Sequence, residues 1–243
     1  MKGYDPKLTF DEANAAAYDE LAVLGDEAET VELLASLAKG GPALELAVGT
    51  GRIALPLAER GVRVDGIDFS EPMVAKLRAK PGGDKLGITL GDFADVGVSG
   101  KYSLVYVVFN SFFNVLTQDD QVRCFENVAR HLNDDGVFLI EAFVPTSLGL
   151  DGDQYVRAEA IEVDTVRLDL LKHDGATQTI EENHVQLTTH GITFNPVVQR
   201  YAWPAELDLM ARIAGLRLHN RWGGWKRQPF TSRSRRHVSV YGH

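Results

Sequence analysis

A doubly wound α/β fold is predicted by three observations. Strand-like and helix-like segments alternate over the first 143 residues, the order that builds a mostly parallel sheet with helices on both faces. Ser103 to Phe109 is nearly all apolar, as a parallel strand covered on both sides must be. The apolar run Ala43 to Val48 stops at Gly49-Thr50-Gly51, a strand-to-helix turn. The expected architecture is a seven-stranded sheet with an antiparallel β insertion after strand five.

In chain order, residues 1–40 read as two helical segments carrying Leu21, Val31, Leu33, Leu34 and Leu37, ended by Gly40-Gly41-Pro42. Strand one, Ala43 to Val48, leads into a helix that stops at Gly61. Val62 to Ile67 is strand two with Asp68 at its end, and Ser70 caps the next helix with Pro72 in its first turn. Ile88 to Leu90 and Ser103 to Phe109 are strands three and four. A helix over Asp119 to Leu132 passes through Asn133-Asp-Asp-Gly136 into strand five, Val137 to Glu141.

Between Tyr155 and Trp203 polar and apolar residues alternate, with turn signals at His173-Asp-Gly175 and His190-Gly191. Pro204 to Ala214 fits a helix, followed by strands near Leu216 to Arg221 and His237 to Tyr241. The expected organisation is one domain over 1–243: a helical lid (1–40), a cofactor-binding core (43–143), the insertion (150–203) and a closing helix with terminal strands (204–243).

Composition narrows the function. A formal charge of −9 disfavours nucleic acid and anionic membranes as partners. The exception is the basic run Lys226 to Arg236, which reads as a solvated loop in preference to a grip on an anionic substrate. Cys124 is the single cysteine, no apolar stretch reaches the ~20 residues of a membrane span, and no signal or transit pattern opens the chain. A cytoplasmic protein acting on a small molecule is expected.

At the carboxyl end of strand one, Gly49 and Gly51 let a ligand lie against bare backbone. Asp68 ends the next strand, where a carboxylate accepts hydrogen bonds from both hydroxyls of a ribose. A nicotinamide-binding oxidoreductase would show the same pair. Glu45 separates the two readings: it interrupts an otherwise apolar strand, and a buried carboxylate requires a partner such as an ammonium group.

These residues resemble the class I S-adenosylmethionine-dependent methyltransferases, whose turn reads acidic-x-Gly-x-Gly-x-Gly; here it is Glu45-x-Ala47-x-Gly49-x-Gly51, with Ala47 in place of the first glycine. Gly66-Ile-Asp68-Phe69-Ser-Glu-Pro-Met73 is similar to the second motif of that family, Gly91-Asp92-Phe93 to the third, and Asp134-Asp-Gly136 to the lead-in of strand five. The resemblance implies S-adenosylmethionine as cofactor and S-adenosylhomocysteine as product. It places Glu45 at the methionyl ammonium, Asp68 on the ribose, Phe69 and Met73 beside sugar and adenine, and Asp92 and Phe93 at the adenine. Ala47, Thr50, Phe109 and Asn110 line the same crevice, Arg52 is either a partner of the cofactor carboxylate or a surface residue, and Tyr18 is either an aromatic lid over the cofactor or a residue of an amphipathic helix packed on the sheet.

After strand four the chain has Phe109-Asn110-Ser111-Phe112-Phe113-Asn114, unlike the Asn/Asp-Pro-Pro-aromatic pattern of nucleobase enzymes. No Asp, Glu and His cluster with metal-ligand spacing stands out, so no metal is expected. The insertion resembles that of bacterial amino-sugar N-methyltransferases, but Asn114 stands near where they tend to have a histidine. A small metabolite methylated on N or O is therefore expected, with a non-methylating reaction on the same fold as the alternative. Phe113, Asn114, Trp222 and Trp225 are candidate acceptor contacts, and Trp203 reads equally as core. Glu141 and His184 are candidate bases, with His190 a weaker one. Association, if any, is expected as a homodimer through the insertion.

Overall fold

The computed structural model describes residues 1–21, 25–148 and 153–243. The Leu21 side chain and residue 150, the expected start of the insertion, lie outside the described residues.

Two helices open the chain, α1 (Glu12–Leu21) and α2 (Glu27–Ala38). Then β1 (Ala43–Leu46), α3 (Ala54–Glu59), β2 (Val64–Asp68), α4 (Glu71–Ala79), β3 (Gly87–Leu90), β4 (Tyr102–Val107), α5 (Gln118–His131) and β5 (Leu132–Phe143) alternate. The insertion is β6 (Gln154–Ile161), β7 (Thr165–Asp174), β8 (Thr179–Thr188) and β9 (Gly191–Arg200). The chain closes with α6 (Pro204–Ile213), β10 (Arg217–Trp222) and β11 (Arg236–Gly242).

The main sheet has seven strands in the order β10-β11-β5-β4-β1-β2-β3. The pairs among β1 to β5 are parallel, while β11 runs antiparallel to both β5 and β10. The order reverses between β1 and β4, and an open α/β sheet leaves its ligand crevice outside the carboxyl ends of the strands at such a point.

Alternation along each strand sorts side chains onto two faces. Leu44, Leu46, Val105, Val107, Phe138 and Ile140 pack with Phe125 of α5 and Met210 of α6. Ala43, Leu104, Tyr106, Val137 and Leu139 pack on the opposite face with Leu34 of α2 and Leu57 of α3. Strand parity therefore sends Glu45, Tyr106 and Glu141 toward the α2 face, where the crevice opens. Ser70 and Thr117 cap α4 and α5 by accepting from the amides of Met73 and Asp120, as their hydroxyls suit them to do.

The main departures from the expected boundaries are in strand five and in the insertion. Strand five begins at Leu132, not Val137: Tyr102 pairs with Leu132 and Leu104 with Val137, so Asn133 to Gly136 bulges from the ladder. In the insertion, His173 and Asp174 belong to β7, and a turn at residues 162–164 splits β6 from β7 without any glycine or proline to announce it. The resulting four-stranded sheet, ordered β6-β7-β8-β9, lays β9 against residues 111–114 at the end of β4.

Candidate active site

The carboxylate of Glu45 is 3% exposed and accepts from the Tyr106 hydroxyl at 2.9 Å, its register partner on β4. Burial pushes the Glu45 carboxyl up to about 8; the Tyr106 bond and the charge of Arg52 pull the other way. Tyr106 was not anticipated, although a buried carboxylate needs a donor and the next strand supplies one of matching parity.

The turn after β1 is built on positive φ. Ala47 (φ 58°), Gly49 (55°) and Gly51 (79°) alternate with ordinary residues. Ala47 adopts without a glycine the left-handed backbone that favours one, at a cost of about 1–2 kcal/mol. A Cβ on Gly49 would meet nothing within 4 Å, whereas one on Gly51 would press Leu77 and Leu55 at 3.0–3.1 Å. Gly49 thus keeps the crevice side open and Gly51 keeps the helix packed.

Asp68 is 6% exposed and accepts from Gly49 N–H at 2.7 Å and Ser70 N–H at 2.8 Å, one bond to each oxygen. Each oxygen retains a lone pair, so the group still has room for two hydroxyl donors. Burial holds its carboxyl above the usual range against the pull of these amides.

Helix α1 and the segment before it pack over this turn. Thr50 Oγ1 donates to Asp19 at 2.6 Å, and Asp19 pairs with Lys80 at 2.8 Å and Lys76 at 3.4 Å, tying α1 to α4. Ser70 Oγ donates to the Phe10 carbonyl at 2.7 Å, and the Phe10 and Phe69 rings meet edge to face at 5.7 Å. Tyr18 lies among the crevice charges: withdrawal from water pushes its hydroxyl up to about 12, Arg52 opposes this, and Asp68 and Glu45 add to it. Asp19, Lys76 and Lys80 escape sequence reading because an ion pair between separate helices leaves no local pattern.

At the end of β4, Phe109 (φ 57°) and Asn110 (φ 62°) are consecutive left-handed residues. Glu141 holds them: its Oε2 accepts from Phe109 N–H at 2.7 Å, its backbone carbonyl accepts from Asn110 N–H at 3.4 Å, and Asn110 Oδ1 accepts from Phe143 N–H at 2.7 Å. The other Glu141 oxygen faces Arg236 at 3.8 Å, and burial holds this carboxyl above the usual range. Arg52 lies 5.1 Å over the Phe109 ring and 3.2 Å from Glu27. Glu141→Ala would strand the Phe109 amide in the interior; unfolding free energy is expected to fall by about 1–3 kcal/mol in chemical denaturation.

The structure thus brings Tyr18, Glu45, Ala47, Gly49, Thr50, Gly51, Arg52, Asp68, Phe69, Phe109, Asn110 and Glu141 around the ends of β1, β2 and β4. Met73 is 1% exposed at the start of α4, and Phe93 is 6% exposed in the core. Asp92 is exposed beyond β3 and accepts from Ala94 N–H at 2.8 Å. Phe113 is fully buried against Phe143, and Asn114 accepts from Gln199 of β9 at 3.4 Å.

The remaining candidates differ in their surroundings. Trp225 is 7% exposed in the core beside α2, Trp222 packs with it, and Trp203 is 42% exposed. The basic run is largely exposed, with Lys226 paired to Glu29, Arg236 to Asp26 and Arg227 stacked on Trp222. His190 is exposed in the β8–β9 turn. His184 lies on β8 with Nδ1 2.7 Å from Asp169 Oδ1.

Comparison with known proteins decides the family. The methyltransferase-domain family matches residues 43–136. The CcbJ methyltransferase from Streptomyces caelestis is 39% identical, superposes with a TM-score of 0.92, and is matched over 98% of this chain and 99% of its own. The chain belongs to the S-adenosylmethionine-dependent methyltransferases. Cypemycin N-terminal methyltransferase of a Streptomyces species is 29% identical over 97% of this chain and 98% of its own. The S-adenosylmethionine-bound amino pentose methyltransferase CalS10 from Micromonospora echinaspora shares the fold, with a TM-score of 0.70 at 18% identity over 94% and 95% of the two chains.

The enzyme therefore uses S-adenosylmethionine, and the crevice suits it: an acceptor-only carboxylate with spare lone pairs at Asp68, open backbone at Gly49, and a buried carboxylate at Glu45. Among the described residues no helix is long and apolar enough to cross a membrane.

Proposed function

We propose that the enzyme methylates an amine nitrogen of a small natural-product intermediate. The observation that carries this is the chemistry at the end of β4. Phe109, Asn110, Phe113 and Asn114 are uncharged, and the carboxylate beside them, Glu141, is engaged by the Phe109 amide and Arg236. A hydroxyl acceptor needs a base there; a neutral amine brings its own lone pair. The N-terminal amine methylated by the cypemycin enzyme and the amino pentose of CalS10 are acceptors of this class.

When bound, S-adenosylmethionine supplies an electrophilic methyl group and departs as S-adenosylhomocysteine, while the acceptor nitrogen forms the new bond and loses its proton to solvent. The chain's own contribution is alignment. Asp68 and Glu45 fix the two ends of the donor, the left-handed turn held by Glu141 sets the floor on the acceptor side, and α1 closes over the top with Tyr18. Such alignment is worth effective molarities of roughly 10⁵–10⁸ M. His184 has no proton-transfer role in this reading.

The test is a labelled-methyl transfer assay with matched amine and hydroxyl acceptors from producer extracts. Label in N-methyl products is expected, and label confined to O-methyl products would overturn the proposal.

The insertion also offers a homodimer surface. On one face, Leu168 and Val185 align with Phe194, and Val166 and Leu187 with Ile192, while in the next row Val156 and Leu170 align with Asn183 and Pro196. Val156, Ile192 and Phe194 are 70%, 58% and 61% exposed, so large apolar side chains of this face meet solvent. Four strands about 4.8 Å apart and about 30 Å long cover roughly 550 Å² per copy, or roughly 1,100 Å² for a pair, enough for a specific interface. Light scattering after size exclusion is expected to show a dimer that Phe194→Asp dissociates; a monomeric unsubstituted chain at micromolar concentration would refute this.

A further inference from the structure

Part of the opposite face of the four-stranded sheet is polar, and it gathers groups from three separate strands. Asp169 and His184 are direct cross-strand partners, and Glu182 stands two residues from His184 on the same face. Asp169 Oδ1 and His184 Nδ1 are 2.7 Å apart, Glu182 Oε1 is 4.0 Å from the same nitrogen, and one ligand atom from each residue lies within 4.8 Å of the other two. Asn195 is paired with His184 in register on β9, so it shares this face, and its Oδ1 is sealed from solvent without a hydrogen-bond donor among the described residues.

The balance of donors and acceptors is uneven. Asp169 and Glu182 bring four carboxylate oxygens, Asn195 adds an orphaned carbonyl, and His184 keeps one ring nitrogen as an acceptor when neutral. Against them stand Arg157, which binds the far oxygen of Asp169 at 3.3 Å, and one imidazole N–H. Glu182 is half-buried, with the same imidazole 4.0 Å away. A surplus of buried acceptors is costly unless a cation fills it.

We propose that Asp169, Glu182, His184 and Asn195 form a binding site for a divalent first-row transition ion or zinc. One imidazole nitrogen with carboxylate oxygens is the donor set for such ions, whereas calcium and magnesium take oxygen alone. Two carboxylates neutralise the ion's charge. Arg157 remains on the outer oxygen of Asp169 and orients it, as hydrogen bonds to metal-bound carboxylates do. His184 is 46% exposed on its side chain, which leaves coordination positions open to solvent or to a donor atom of a bound molecule. The ion would join β7, β8 and β9 on the face that, farther along the same strands, packs Leu171 and Ile180 into the core.

Cobalt(II) titrated into the full chain, after treatment with chelator, tests the site by calorimetry and by visible absorption. One ion per chain is expected, with a spectrum of mixed nitrogen and oxygen ligation and displacement by zinc. Glu182→Gln and His184→Ala are expected to weaken binding about tenfold or more, while His190→Ala leaves it unchanged. Circular dichroism establishes that each variant is folded, and Glu182→Gln preserves shape. No stoichiometric binding at about 1 mM cobalt, affinity unaltered in both site variants, or loss only in His190→Ala would each overturn the proposal.

Discussion

Asp68→Ala is expected to weaken S-adenosylmethionine binding by about 10²–10⁴-fold. Two ribose hydroxyls donating to a charged carboxylate contribute about 1.5–3 kcal/mol each, and alanine removes both. The same substitution has a second cost, because the Asp68 oxygens also accept from Gly49 and Ser70. Two buried amides left without acceptors lower unfolding free energy by about 1–3 kcal/mol each, so calorimetry must be done well below the melting temperature. Asp68→Asn separates the effects: it keeps one oxygen acceptor and most of the shape, and is expected to fall between the two. Unchanged affinity in the folded alanine variant would show that the ribose is held elsewhere.

Cofactor affinity is expected to rise with pH between about 6 and about 8, and Glu45→Gln is expected to flatten that rise. Desolvation keeps the Glu45 carboxyl protonated up to about 8 in the empty enzyme. Pairing with the methionyl ammonium requires the ionised form, so binding releases a proton below that pH and affinity gains about tenfold per pH unit. The stability of the free enzyme moves oppositely. The folded carboxyl is raised from about 4.5 to about 8, so Glu45 contributes stability that is fully present below about 4.5 and lost as pH rises through about 8. Burial raises Asp68 and Glu141 in the same direction. Calorimetric titrations across this range, paired with melts of the empty protein, read both trends. A pH-independent affinity in the unsubstituted enzyme would place the ammonium away from Glu45.

The cofactor half of the proposed site rests on signals that are local in sequence. Glu45, Gly49, Gly51 and Asp68 lie within 24 residues, and each has a physical reason for its place at the end of a strand. The rest depends on register between distant strands. Tyr106 meets Glu45 because β1 and β4 are neighbours, and Glu141 grips Phe109 because β5 lies beside β4. Asp169 and His184, 15 residues apart, meet only because a turn sets the β7–β8 register. Trp225 illustrates the converse: a glycine-flanked aromatic reads as a pocket wall, yet the loop folds back on α2 through Lys226 and Glu29, and the ring enters the core.

A crystal structure of the enzyme with S-adenosylhomocysteine tests the central claim most directly. Both ribose hydroxyls are expected at roughly 3 Å from the Asp68 oxygens, the amino group facing Glu45, and the sulfur turned toward Phe109 and Asn110. A nucleoside bound away from Asp68, or an amino group with no path to Glu45, would contradict the account.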